Sequence, residues 1–537
     1  MGIYFKNNIR IMNKIKNFSS NLISLFKVFL TIIIILLIVS CSSLNKIKNE
    51  TDLVFKKSFD IYVEKVMDTF NINFGIGIAV VKDDKMVYEN YKGYANYEDK
   101  ILVTPETEFY IASSTKSFTA LAALILHEKK LINMDRSLAS YFPEAKFKPE
   151  LKADSVTIRD LLYHTSGLRN RNITGVKSYF GNYTLSSLTN KLINNTTTNS
   201  VGYGNFSYDN LGYNIFGIIV ERELGKSWKQ IVNEEVLNPL GMKRTSGNMS
   251  DIEKNNWTGT EPYSQTDLDG NLKNLKFKKE DDIMHAAGGL ITTPRDMSKW
   301  LEIQLNDGVL DNKQIFRKGL LPFTHKKQAA QNRKFFSSKR FGYGYGWNLT
   351  TNSSNDTLVH HYGDFTGAHA KISFIPKHKT GVAVFVNEGH AGLLASYLLE
   401  SYAFDYYAGV ENLEEKYDEA LKEYHTLLVN AFKGKKKDLE NRAKRTWNLD
   451  LPLKAYAGTY KNSSVDNNLK IEYRKGKGFF ANFGHLKTNN PAEPFVNKNS
   501  IRLELVPNNG SVMNFRLENN EVISVKFNGL LFKKVTK

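Results

Sequence analysis

A single cysteine, Cys41, in 537 residues leaves nothing for an internal disulfide to pair with. There is no H-E-x-x-H stretch and no pair of cysteines, so metal chemistry is unsupported and no cofactor is implied. Basic residues outnumber acidic ones by 73 to 55, a net charge of +18, yet no Lys/Arg-rich helix, zinc spacing or aromatic–basic RNA motif accompanies the excess. A solvated basic surface is the plain reading, nucleic-acid binding is set aside, and attraction to an anionic envelope surface is a third possibility. No internal repeat of solenoid type is present. The apolar run Val28 to Ser40 falls short of the about 20 residues a membrane-spanning helix needs.

That short run has Lys14, Lys16 and Lys27 before it, the order of an export signal. It ends in Ile38-Val39-Ser40-Cys41, which resembles a bacterial lipobox, where cleavage precedes a cysteine that becomes lipidated. The expectation is a leader over residues 1–41 and an exported protein, lipid-anchored to the bacterial cell envelope at Cys41. An uncleaved signal anchor is the alternative, and Met12 is a second candidate start.

Composition divides the remainder. Residues 42–53 are polar and read as a tether. Residues 54–408 mix strand and helix patterns: a β-hairpin is expected around Asp83-Asp84, a buried helix after Ser113, a buried strand over 381–387 and a helix over 392–399. Residues 411–446 are charged and helix-prone, a linker helix with a possible interruption at Gly434, and 451–537 alternate as short strands with a turn at Asn508-Asn509-Gly510. The expected class is α+β, a mixed or antiparallel sheet with a helical subdomain, followed by a small all-β, barrel-like domain.

Three stretches carry the chemistry: Ser113-Ser114-Thr115-Lys116, Tyr208-Asp209-Asn210 and His361-Tyr362-Gly363. Ser113 stands where the apolar helix begins, and the helix dipole there favours developing negative charge. Lys116, at i+3, shares its face, and a desolvated lysine gives up its proton more easily. Other S-x-x-K spacings, Ser24 to Lys27 and Ser43 to Lys46, lie in the leader and tether. Ser166 has neither a lysine at i+3 nor a G-x-S-x-G elbow.

Taken in order, the three stretches resemble the active-site motifs of the serine β-lactamase and penicillin-binding-protein superfamily, over about residues 55–408. The stretches 161–168, 287–296 and 341–347 match as well, and the segment from Tyr456 resembles the small β-barrel often appended to this core. The resemblance implies a serine hydrolase without a cofactor, in which Ser113 is the nucleophile and Lys116 with Tyr208 moves its proton. Asn210, His361 and Gly363 would then contact a small-molecule or peptide substrate, and the backbone N–H groups of Ser113 and Asp364 would form the oxyanion hole. His361 stands where β-lactamases carry lysine. The His-x-Gly form resembles D-amino-acid peptidases and esterases of the superfamily, so an amide or ester is expected before a β-lactam. His360 is the competing histidine, but only His361 has glycine two residues on. A penicillin-binding-like sensor with little turnover, or a hydrolase of secreted peptides with the β-domain as gate, are the rivals. The polar stretch 190–205 is expected to border the cleft, and the sequence carries no signal for an oligomeric state.

Overall fold

The computed structural model describes residues 27, 48, 50–335, 338–352, 354–463 and 465–535. Cys41 and, apart from residue 27, the leader lie outside the described residues. Two compact units result, Met1–Ile61 and Tyr62–Lys537. In the first, residues 51–61 are helical, so the end of the expected tether is helix. No helix among the described residues is long and apolar enough to cross a membrane.

The second unit is built on an eight-stranded sheet. β1 (Ile76–Lys82) and β2 (Lys85–Lys92) form the expected hairpin, with Asp83 at a positive φ of 60° in its turn. Among the helices that follow, four position the core and the site: α1 (Thr115–Glu128), α2 (Ile158–Tyr163), α3 (Leu211–Leu224) and α4 (Pro294–Leu305). The remaining strands are β3 (Ala329–Phe335), β4 (Ser338–Tyr343), β5 (Asn348–Thr351), β6 (Thr357–Phe365), β7 (Ala368–Ile375) and β8 (Thr380–Val386). Their order is β3-β4-β5-β6-β7-β8-β1-β2, with every neighbouring pair antiparallel. β8 is buried along its whole length, as its uninterrupted apolar run requires, with α4 and α5 (Ala391–Tyr407) packed against it.

α1 is the centre of the core. Its residues Thr115 to Leu126 are all buried, and each leucine, isoleucine or phenylalanine removed from water contributes roughly 1.5–3 kcal/mol. Phe118 stacks on Trp300 of α4 at 3.9 Å between ring centroids, and Trp300 in turn on Trp347 at 6.3 Å. This stack joins α1 to the glycine-rich stretch that ends at Trp347. Gly346, at a φ of 76°, makes the join possible, because a Cβ there would lie 2.5 Å from Ser117 Cα.

α6 (Leu413–Ala443) then leads to the C-terminal domain. It runs through Gly434 without a break. One glycine costs about 1 kcal/mol relative to alanine, which the buried Tyr417, Leu421 and Leu428 of this helix outweigh. The C-terminal domain is a nine-stranded antiparallel sheet whose strands alternate buried and exposed residues, as in Gly478–Phe483 and Ser500–Val506. Strands Gly478–Phe483 and Leu486–Lys487 approach Ser500–Val506 across the domain, so the sheet curls on itself. It is fastened to the domain built on the eight-stranded sheet by Phe180 against Phe483 (4.3 Å), by the ion pair of Lys191 with Asp466 (2.8 Å) and by the hydrogen bond of His485 with Asp282 (2.8 Å).

Candidate active site

Ser113 lies in a 3-10 turn, Ala112–Ser114, immediately ahead of α1. Ala112 adopts a φ of 42°, a conformation that alanine rarely takes and that the surrounding packing enforces. The turn divides two neighbouring serines between two tasks. Ser114 is fully buried and donates its hydroxyl to the His361 carbonyl at 2.9 Å, whereas Ser113 keeps part of its surface in solvent.

Lys116 is completely buried, and its Nζ donates to Asn210 Oδ1 at 2.8 Å and to the Ala287 carbonyl at 2.7 Å. Desolvation holds its ammonium well below the ordinary lysine range, opposed in part by the charge of Asp209. Asn210 is free to accept this bond because Asp209 does the capping: Asp209 Oδ1 accepts from Leu211 N at 2.7 Å where α3 begins. The lysine Nζ stands 4.9 Å from the centre of the Tyr208 ring. Burial pushes the Tyr208 hydroxyl up to about 12, against a hydrogen bond with Ser113 and the charges of Arg340 and Arg333. Ser113, Lys116, Tyr208 and Asn210 are therefore one cluster, although nearly a hundred residues separate the first two from the others.

β6 supplies the opposite side. β5 pairs with it only as far as His360, while β7 pairs with it as far as Phe365. From His361 onward one edge of β6 is thus open towards the Ser113 turn. His361 is buried and neutral: desolvation first, then Lys116, depresses its imidazolium, and Nδ1–H donates to the Tyr362 carbonyl at 3.0 Å. Its Nε2 is left as a buried acceptor with no hydrogen-bond partner among the described residues. The alternation of the strand sends His360 the other way, onto Thr350 Oγ1 at 2.8 Å, which excludes it from the cluster.

Gly363 corrects one expectation. The resemblance gives Gly363 to substrate contact, but the space beside it belongs to the chain itself, since a Cβ there would sit 1.9 Å from the Ile111 carbonyl oxygen. The glycine lets β6 close on the Ser113 turn and brings Asp364 near it. Gly363→Ala must push the two apart. Overpacking of this kind costs about 1–3 kcal/mol, so the melting temperature should fall.

Two contributors escaped the sequence reading. The Ala286 to Leu290 segment cradles the first turn of α1 through backbone groups: Ala287 O holds Lys116, Ala286 O accepts from Thr119 Oγ1 at 2.7 Å, and Leu290 N donates to Thr115 Oγ1 at 3.1 Å. His164 is the second. It ends α2 in a left-handed conformation (φ 64°), packs against the Tyr208 ring with centroids 4.6 Å apart and planes tilted by 44°, and accepts a bond from Asp209 N at 3.4 Å. Burial and the charges of Lys116 and His361 keep it neutral. Its place in Leu161 to Leu168 was visible, but not the ring it supports.

The cleft at Tyr208, Asp209 and Asn210 encloses about 570 Å³ and is completed by Arg169, Arg171 and residues of the C-terminal domain. The stretch 190–205 does not line it. Residues 190–195 are the last turns of the helix Leu185–Asn195, and Asn195, Thr197 and Thr198 line a neighbouring cavity on the other side of the two arginines. A larger cavity of about 610 Å³, between the second half of α6 and the C-terminal domain, holds none of the motif residues. Among the described residues, Glu280, Asp282 and His485 have metal-ligating chemistry, but both ring nitrogens of His485 are engaged by carboxylates, at 3.2 and 2.8 Å.

The Beta-lactamase family model matches residues 63–400. The chain is 26% identical over 320 residues to protein flp of Staphylococcus aureus (strain MW2), a match covering 58% of this chain and 59% of that protein's length. An octameric penicillin-binding protein homologue from Pyrococcus abyssi has a similar fold, with a TM-score of 0.54 at 23% identity, covering 89% of this chain and 99% of that one. A D-amino acid amidase from Ochrobactrum anthropi SV3 does too, with a TM-score of 0.50 at 22% identity, covering 68% of this chain and 99% of that one.

Proposed function

Because this chain belongs to the Beta-lactamase family, we propose that it is a serine hydrolase that cleaves an amide or ester through an acyl-enzyme. The observation that carries this reading is a desolvated lysine, Lys116, one turn after Ser113, fixed by Asn210 and Ala287 with its Nζ 4.9 Å from the centre of the Tyr208 ring. Neutral Lys116 is a base, and Tyr208 is the group through which it reaches the serine proton. Ser113 Oγ attacks the substrate carbonyl, and the proton passes to Tyr208 and Lys116. The oxyanion lies between the N–H groups of Ser113 and Asp364, each such donor being worth roughly 10²–10³ in rate. Collapse of the tetrahedral intermediate returns the proton to the departing alcohol or amine, and water then releases the acyl group from Ser113. The Asn210 amide nitrogen and His361 Nε2 face the substrate as donor and acceptor.

A neutral His361 in place of a fixed ammonium gives no charge to the carboxylate of a β-lactam at that position, which favours other amides and esters. The amidase among the similar folds accords with this preference. The leader supports a further part of the reading, lipid anchoring at Cys41 to the bacterial envelope.

Matched assays on aryl esters, D- and L-aminoacyl amides and a β-lactam test the proposal. The expected result is steady turnover of an ester or amide at least about tenfold faster than of the β-lactam. The rate should rise with pH as Lys116 deprotonates, below the ordinary lysine range. A folded protein that turns over none of them is a sensor and not a hydrolase.

A further inference from the structure

Arg169 and Arg171 line the cleft that also holds Tyr208, Asp209 and Asn210. Both are exposed, and neither guanidinium is within ion-pair distance of a carboxylate among the described residues. Their charges are nonetheless felt at Asp209, where both lower the carboxyl against the larger effect of burial.

The backbone between them is built to hold this spacing. Asn170 is 2% exposed, and its Oδ1 accepts from Asn172 N and Ile173 N at 3.1 and 3.0 Å. Its Nδ2 donates to the Lys191 carbonyl and Thr196 Oγ1 at 2.9 and 3.0 Å. Arg169 is further paired to Thr197 in a short antiparallel ladder. Arg171 lies against the turn joining the last two strands of the C-terminal domain, where a Cβ on Gly529 would come within 2.7 Å of its Nη1. That domain adds an apolar wall to the same cleft, made of Phe483, Phe527 and Leu530.

We propose that Arg169 and Arg171 form an anion subsite in the cleft at Tyr208 and Asn210, beside the Ser113 cluster, so that the substrate is an acyl compound carrying a carboxylate or phosphate beside an apolar segment. The apolar segment rests on Leu530, which is half-buried and is backed by the buried Phe483 and Phe527. Neutral His361 leaves its strand without a charge for such a group, and the two arginines supply it from the cleft at Tyr208 and Asn210. A guanidinium offers a planar pair of donors that matches either anion. Arg169 and Arg171 are binding residues, remote from the bond that breaks. This inference rests on Ser113 being the nucleophile.

The test uses three aryl esters of one acyl chain, ending in a carboxylate, in its methyl ester and in a phosphonate. The wild-type protein should prefer one of the anions to the methyl ester by at least about tenfold in kcat/KM, mostly through KM and less so at high salt. The anion favoured identifies the source. In the Arg169→Gln/Arg171→Gln protein the ratio should fall to within about threefold of one, and in the Arg169→Lys/Arg171→Lys protein part of it should return. A wild-type ratio near one, or a ratio that survives the double glutamine change, overturns the subsite while fluorophosphonate still labels Ser113. Loss of that labelling in the wild-type protein overturns the serine-hydrolase reading, and the subsite falls with it.

Discussion

Ser113→Ala is expected to lower turnover by roughly 10⁶, the scale of removing the nucleophile from a serine hydrolase. No neighbour can replace it. Ser114 is fully buried and committed to the His361 carbonyl, so its oxygen has no route to a substrate. Ser166 has no lysine one turn further on. The residual rate should reflect the backbone donors of the nucleophile turn and β6, which the substitution leaves in place. One hydroxyl of a partly exposed residue is lost and no cavity opens in the core, so stability should stay within about 0.5 kcal/mol. Steady-state ester hydrolysis and a thermal melt on the same preparation measure both quantities. A large fall in melting temperature would move the loss of activity from chemistry to folding.

Lys116→Met is expected to cost roughly 10²–10⁴ in kcat/KM, the contribution of a positioned base. Methionine fills a similar volume but takes no proton. Two signatures separate this from a packing defect. The wild-type rate should rise as pH increases through the lowered value of Lys116, and that limb should be missing from the residual activity of the variant. The second signature is in stability. Because the folded value lies below the unfolded one, in the window between them the unfolded chain binds a proton that the folded chain does not. Wild-type stability must therefore increase with pH across that window, and below it the full cost of burying the amine applies. The variant lacks this slope. Its methionine does leave Asn210 Oδ1 and the Ala287 carbonyl without their donor, a cost of about 1–3 kcal/mol for each buried group. Melting temperature against pH for the two proteins resolves the opposing effects.

The parts of this site that were legible in sequence are those set by local spacing. Ser113 and Lys116 are one turn apart at the start of a run that is apolar on all faces, and such a run must become a buried helix. Asp209 and Asn210 precede another apolar run, so a helix start was evident, but not that Asp209 caps it and frees Asn210 for Lys116. Strand alternation separates His360 from His361, and the glycine at 363 chose between them before the structure did. What stayed hidden depends on tertiary approach. A carbonyl such as that of Ala287 carries no signature in its side chain, and Gly363 serves a close contact with Ile111 that only folding creates. His164 sits in a recognisable turn, yet its role follows from the Tyr208 ring above it. The polar stretch 190–205 looked like a cleft border because polar loops often are. It instead supports Arg169 from behind, through the ladder to Thr197 and the bond from Asn170 to Thr196. Phe483 and Phe527 reach the cleft from a separate domain, a proximity that no local pattern in either segment announces.

The central claim, that Lys116 and Tyr208 make Ser113 an activated nucleophile, is tested most directly by intact mass and peptide mapping after exposure to a fluorophosphonate. The expected result is one adduct per chain, on the peptide containing Ser113, absent from Ser113→Ala and formed far more slowly in Lys116→Met. No adduct on the wild-type protein, or an adduct on another serine that persists in Ser113→Ala, would contradict it.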